Sequence, residues 1–270
     1  LRCSGRLVFL ISRPFSSGTI SQVLSLLRIK MLAIGNFFFK YRNLLFIFLY
    51  LALFIPSSEI FTEQALGADY YLYPLILGLS ITIFGQLIRG VTIALKYIVR
   101  GGKNKEVYAD DLVTEGIFNH CRNPLYVGNI LMLVGVGILI NSLLFVAVFI
   151  PLFLFIYQAI VLAEEQFLRN KFKEQFDAYC SRVSRWWINF DGLGKTISNM
   201  DFNGKRWLIK EYNTQTVWAT GIVVILLFYY PQLTDYNTGL RDILFMISLG
   251  LMGIYYFSIR YLKKSGTWKG

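Results

Sequence analysis

An all-α, polytopic transmembrane bundle of about six spans is the fold class this sequence predicts, and three observations predict it. The first is composition. Of 270 residues, 55% are hydrophobic and 17% aromatic, against 16% charged, and the mean hydropathy is +0.51. A soluble domain of this size has little use for so much apolar surface. The second is the gathering of apolar residues into runs near the ~20 residues a helix needs to cross hydrocarbon. The third is where the charges fall. A net charge of +11 would suit nucleic acid, but lysines and arginines confined to loops between apolar runs read as orientation signals and contacts with anionic headgroups. No nucleic-acid partner is expected.

The spans follow in order. The first covers 44–61 and is weakened by Pro56, which cannot donate a helical hydrogen bond. The second covers 70–88, with a helical continuation past Arg89 toward Val99. The third and fourth, 125–140 and 143–163, are separated only by Asn141 and Ser142. So short a link makes them an antiparallel hairpin. The fifth covers 214–230 and the sixth 243–259. Loop charges orient them. Lys30, Lys40 and Arg42, then Arg100, Lys103 and Lys105, then the bases from Arg169 to Lys210, then Arg260, Lys263 and Lys264 all fall on one face. The opposite loops hold Glu59, Glu63, Asp69, Asp235 and Asp242, with Arg241 the lone base. The positive-inside rule then puts the basic face and both termini in the cytosol.

Residues 1–30 are Ser/Arg-rich with short apolar pieces, and Met31 follows. Two readings stand: an amphipathic or targeting segment, or an upstream stretch with Met31 as the start. The remainder divides into N-terminal spans (31–106), the hairpin with its flanking motif (107–190), and a cytosolic loop with two C-terminal spans (191–270). Beyond the fourth span, Leu168, Phe172, Phe176, Tyr179 and Val183 recur at helical spacing. This predicts an amphipathic helix along the membrane surface that covers the site, closed by the interfacial rings of Trp186 and Trp187. Residues 190–206, rich in Gly, Asn and Asp, read as a loop.

The chemistry concentrates at the open end of the hairpin. The segment from Gly116 to Gly128, GIFNHCRNPLYVG, leads into the third span, and Glu164-Glu165 ends the fourth. Counted from the turn, the arms differ by about four residues, or roughly 6 Å, so Arg122 meets the acid pair at the membrane surface. Acids at a helix C-terminus oppose the macrodipole and require a partner. The competing reading is a solvated pair neutralised by Arg169 or Lys171, with Arg122 a headgroup anchor. Pro124 suits a first helical turn. Gly116 and Gly128 allow close approach of a ligand or a neighbouring helix. Arg89 and Lys96 read as side chains reaching back to the interface. His120 and Cys121 read more readily as packing than as ligand contacts. Cys3, Cys121 and Cys180 fit no disulfide or zinc spacing, and a single histidine argues against a zinc site. The stretch from Gly192 to Thr196 lacks the first glycine of a phosphate loop.

These residues resemble the isoprenylcysteine carboxyl methyltransferase and phospholipid methyltransferase superfamily of integral membrane enzymes, over about residues 75–190. Gly116, Phe118, Arg122, Pro124, Tyr126 and Gly128 match the first part of its pattern. Glu164, Glu165, Leu168, Phe172, Tyr179, Val183 and Arg185 match the second. Asn123 departs from the usual histidine, Lys173 from a glycine, Phe176 from a tyrosine and Ser184 from a proline. The resemblance implies S-adenosylmethionine as cofactor. Arg122 would pair with its carboxylate, and Glu165 with Glu164 would hold its ammonium or ribose. Gly116, Ile117, Phe118 and Tyr126 would line the adenosine, with His120, Asn123 and Pro124 beside them. Arg185 would face the acceptor or a headgroup. It also implies a lipidic acceptor arriving from the bilayer, in the cytoplasmic membrane of a bacterium or the endoplasmic reticulum of a eukaryote. Two other readings remain: a membrane reductase using NADPH, and a non-catalytic scaffold or transporter subunit.

Overall fold

The computed structural model describes residues 17–96 and 108–268. Cys3, the continuation to Val99, and Arg100, Lys103 and Lys105 lie outside the described residues. Among those described the fold is all helical: α1 (Ser17–Leu51), α2 (Glu63–Leu66), α3 (Leu72–Leu95), α4 (Pro124–Leu139), α5 (Ile150–Arg182), α6 (Leu193–Ser198), α7 (Gly204–Tyr229) and α8 (Thr238–Lys264). Among the described residues three helical stretches are long and apolar enough to cross a membrane: α3, α5 together with the π-helical turn Phe145–Phe149 before it, and α8. The bent pair Ile29–Arg42 and Leu44–Phe54, within and just beyond α1 and meeting at 78°, makes a fourth if its two arms form one span. The protein is therefore a multi-pass membrane protein. Helix α4 is apolar but has 16 residues, about 24 Å at 1.5 Å per residue, less than the ~30 Å hydrocarbon core.

Several element bounds differ from the sequence expectation. The first span does not run to Phe61. Helix α1 gives way to a 3-10 turn at Ala52–Phe54, and the chain is extended at Ile55, just before Pro56. Residues 190–206 are not simply a loop, since they contain α6 and the start of α7. Asn203 caps α7 by accepting from the Arg206 N–H at 2.8 Å. Arg206 in turn donates to the carbonyls of Ile93 (2.9 Å) and Ala94, supplying a cation to the free carbonyls at the C-terminal end of α3. The hairpin is as expected. Asn141 takes a left-handed φ of 56°, tolerable for Asn. Its side chain accepts from Ile60 N (3.0 Å) and Phe61 N (2.8 Å) and donates to Phe61 O.

Helix α4 lies backbone to backbone on α3. A Cβ on Gly85 would stand 2.6 Å from the Gly128 carbonyl oxygen, and one on Gly135 2.4 Å from Thr82 N. Small residues at such a seam allow the close packing that holds helices together in lipid. Gly128, expected to admit a ligand or a helix, admits α3. The other wall is aromatic: Phe46 of α1 stacks on Phe153 of α5 at 5.5 Å. Helix α7 joins α3 through Trp218, whose ring N–H donates to Thr82 Oγ1 at 2.8 Å. Helix α8 packs on α7 and leaves Ile243, Met246, Leu251, Ile254 and Phe257 exposed.

Arg89 does not reach back to the interface. It is buried at 6% exposure and grips the fully buried Glu211 of α7, with NH2 to Oε2 at 2.7 Å and Nε to Oε2 at 2.9 Å. Its NH1 donates to Asn129 and to Leu125 O. A cation inside an apolar helix needs a buried partner, and Glu211 is that partner across 122 residues.

Candidate functional site

The segment before α4 is laid down by short local contacts. Gly116 has φ 62° and opens a 3-10 turn at Gly116–Asn119. The chain then runs beside 183–189. Arg122 N donates to Ser184 O (2.9 Å), Asn123 Nδ2 to Arg185 O (3.2 Å), and Asn189 N to His120 O (2.9 Å). Tyr179 adds a hydrogen bond from its hydroxyl to Phe118 O at 2.6 Å. Pro124, lacking an N–H, then starts α4.

Two carboxylates on α5 face this segment. Glu165 is buried at 5% exposure and takes two arginines at once. Arg122 NH2 reaches Oε1 at 3.0 Å, while Arg185 reaches Oε1 through Nε at 2.9 Å and Oε2 through NH2 at 2.7 Å. Arg122 NH1 spans the carbonyls of Cys180 (3.1 Å) and Val183 (3.0 Å). Its Nε is buried without a partner. Glu164 accepts from the Tyr126 hydroxyl at 2.9 Å. Arg169 and Lys171, the alternative neutralisers, are engaged elsewhere, with Asp177 at 2.7 Å and with the carbonyl of Ala109.

The reason the acids need cations differs from the one expected. The acid pair does not end a helix, because α5 continues to Arg182. Burial, not the macrodipole, makes an unpaired Glu165 costly. The surface helix is broken rather than continuous. Lys173 has φ 48° and ψ −121°, a conformation natural to glycine. Beyond that kink Phe176, Tyr179 and Val183 are buried, forming a small cluster with Leu112, Leu168 and Phe172. The amphipathic spacing is thus spent on covering the site.

These residues border a cavity of about 620 Å³, within the range of small-molecule sites. Phe118, Arg122, Asn123, Pro124, Tyr126, Glu164 and Glu165 line it, as does Arg89. Gly116 and Ile117 do not, and Arg185 stands behind Glu165. His120 is also outside the lining. Both its ring nitrogens are taken by the protein, Nδ1 with Asn189 O and Nε2 with Thr196 Oγ1, each at 2.8 Å. Burial pushes the Cys121 thiol up to about 11, so it is no nucleophile at neutral pH.

The sequence reading passed over Asp110, Asp111, Asn129, Tyr157 and Thr214 as lining residues. The two aspartates were visible as an acid cluster, and Asn129 lies on the turn after Tyr126. Tyr157 and Thr214 sit in apolar stretches and carried no signal. Among the described residues no group of three or more His, Cys, Asp or Glu is placed to hold a metal ion.

The cavity is lined by the Arg122 guanidinium, by carboxylates at Glu164, Asp110 and Asp111, and by rings at Phe118 and Tyr179. Comparison with known proteins gives a family match over part of the chain. Residues 74–175 match the family model for phospholipid methyltransferase. The cobalt-zinc-cadmium resistance protein CzcN of Cupriavidus metallidurans is 35% identical over 108 residues, 40% of this chain and 44% of its own length. The nickel-cobalt-cadmium resistance protein NccN of Alcaligenes xylosoxydans xylosoxydans is 33% identical over 116 residues, 43% of this chain and 53% of its own. The matched region thus spans about half the length of these relatives. No solved structure matches.

Proposed function

We propose, from the match of residues 74–175 to the family model for phospholipid methyltransferase, that the chain transfers a methyl group from S-adenosylmethionine to a lipidic acceptor. The observation that carries the reading is the Arg122–Glu165–Arg185 assembly on a cavity that also holds Glu164 and Tyr126. The cofactor would supply an electrophilic methyl on a sulfonium, and the protein's part is alignment and exclusion of water.

The Arg122 guanidinium, which lines the cavity, would meet the cofactor's carboxylate, and Glu165 is the positioning residue that holds Arg122 and Arg185 in register. Glu164 and the aspartates at the mouth receive the ammonium and ribose hydroxyls. The rings of Phe118 and Tyr179, which line the cavity, would hold the adenosine part. Following the loop charges, the cofactor arrives from the cytosol and the acceptor from the bilayer. The relatives' names speak of metal resistance and specify no acceptor.

Thermal stabilisation of the detergent-purified protein tests this. S-adenosylmethionine and its demethylated product should raise the melting temperature, NADPH should not, and Arg122→Ala should abolish the response. A response to NADPH alone transfers the chain to the reductase reading.

A further inference from the structure

Among the described residues three guanidinium groups line the cavity: Arg42, Arg89 and Arg122. Two are committed. Arg89 is bound to Glu211 and Asn129, and Arg122 to Glu165 and two carbonyls. Arg42 differs. Among the described residues it makes no hydrogen bond or ion pair, and its guanidinium lies over the Phe39 ring, 4.9 Å from the centroid. A guanidinium carries five N–H donors, so Arg42 has its full donor set to offer. Its charge acts on Glu164, Tyr126 and Tyr157, within electrostatic reach of the centre described above.

The surroundings decide what it would take. Arg42 ends the first arm of the bent helix, and the second arm, Leu44–Phe54, follows at 78°. On that arm Leu44, Ile47, Phe48 and Leu51 are exposed, an apolar surface suited to lipid chains. A cation thus stands where an apolar outer surface meets the cavity wall. Helix α1 precedes the matched residues 74–175, so the family match assigns nothing here.

We propose that Arg42 binds the anionic headgroup, a carboxylate or a phosphate, of a lipidic acceptor whose chain lies along α1. This rests on the cavity being the methyl-transfer site. A planar guanidinium pairs with either oxyanion bidentately, and the Phe39 ring steadies it from the other face.

The test uses the full chain in a neutral detergent with four probes: dodecyl phosphate, dodecanoate, dodecanol and inorganic phosphate. At least one anionic amphiphile should raise the melting temperature while dodecanol does not. Its Kd should weaken about tenfold or more in Arg42→Gln, the loss of about 1.4 kcal/mol, and recover in large part in Arg42→Lys. Stabilisation by S-adenosylmethionine should persist in both variants, which shows that they fold. Equal binding of the amphiphile by Arg42→Gln, or an equal response to dodecanol, overturns the proposal. Inorganic phosphate binding as tightly as dodecyl phosphate overturns the lipid assignment. Should no form respond to S-adenosylmethionine while amphiphile binding still depends on Arg42, the anion site stands and the methyltransferase reading falls.

Discussion

Helix α4 meets its two neighbours in opposite ways. Toward α3 it presents Gly128 and Gly135, and the backbones touch. Toward α5, near its N-terminal end, it presents Tyr126, whose ring stands 5.2 Å from that of Tyr157, and the cavity opens beside them. One seam is closed by small residues, with Arg89 of α3 bonding Asn129 and Leu125 O of α4 at one end of it. The other is propped apart by large ones and is tied by charge at the Arg122–Glu165–Arg185 bridge. Side-chain volume along one helix thus decides where the bundle is wall and where it is vessel. In lipid, where apolar burial between helices gains little, packing and polar links are what remain to hold each seam.

The sealed seam should be the more fragile under substitution. A leucine at Gly135 would place Cβ 2.4 Å from Thr82 N and 2.7 Å from Gly78 O, backbone atoms with little freedom to yield. Gly135→Leu should cost about 3 kcal/mol, the upper end of overpacking penalties, read as unfolding in detergent. The matched change Gly250→Leu on α8, where a Cβ meets nothing within 4 Å, should stay within about 0.5 kcal/mol of the parent. Equal losses in the two variants would mean that the glycines do not seal α3 to α4.

The charged seam should break by a different mechanism. Glu165→Gln leaves Arg122, whose side chain is 11% exposed, without a counter-ion. The expected loss is about 3 kcal/mol, the lower end for a broken buried pair, since Arg185 keeps 32% exposure and can hydrate. Arg185→Ala should therefore cost less than Arg122→Ala. S-adenosylmethionine should fail to stabilise Glu165→Gln, whereas it should still stabilise whatever fraction of Gly135→Leu folds. A cofactor response retained in Glu165→Gln would remove Glu165 from the site.

The two seams also differ in how far sequence reveals them. The hairpin, Arg122 beside the acids, and Pro124 at the helix start follow from a two-residue link and helical rise. The glycine seam does not. Gly78, Gly85 and Gly135 look like ordinary apolar-run residues until α3 and α4 are known to touch, and the sequence ties α4 to its hairpin partner instead. Arg89 gave half a signal, a charge inside a span, but Glu211 sits in the charged stretch after Lys205 and reads as solvated. His120 was drawn into the cofactor set by its position in the motif. Its partners, Asn189 and Thr196, lie in a region that reads as featureless loop. The macrodipole argument for the acid pair failed because apolarity ends at Ala163 while the helix does not.

Lys173 offers a smaller effect of opposite sign. Its φ of 48° and ψ of −121° suit glycine and strain a branched backbone by ~1–3 kcal/mol. Glycine costs part of that back in unfolded-state entropy. Lys173→Gly should stabilise by about 1 kcal/mol, and Lys173→Ala, which keeps the Cβ, should not. A gain in both would assign the effect to the lysine charge rather than to the kink.

The smallest expected effect lies on the surface near the motif. Lys96 Nζ bonds Glu115 at 2.9 Å, and this hydrogen bond holds the Glu115 carboxyl below its ordinary range. A carboxyl depressed in the folded state contributes stability that is present above its unfolded pKa and fades as pH falls through the folded value. The pair is exposed and screened by salt, so Lys96→Ala should lower the melting temperature only marginally at neutral pH. The difference should close in acid, below the usual glutamate range, and close again at about 1 M salt. A difference that survived both would locate the effect in packing instead, since the Lys96 Cβ would lie 3.9 Å from a Cβ at Gly116, where the chain turns into the site.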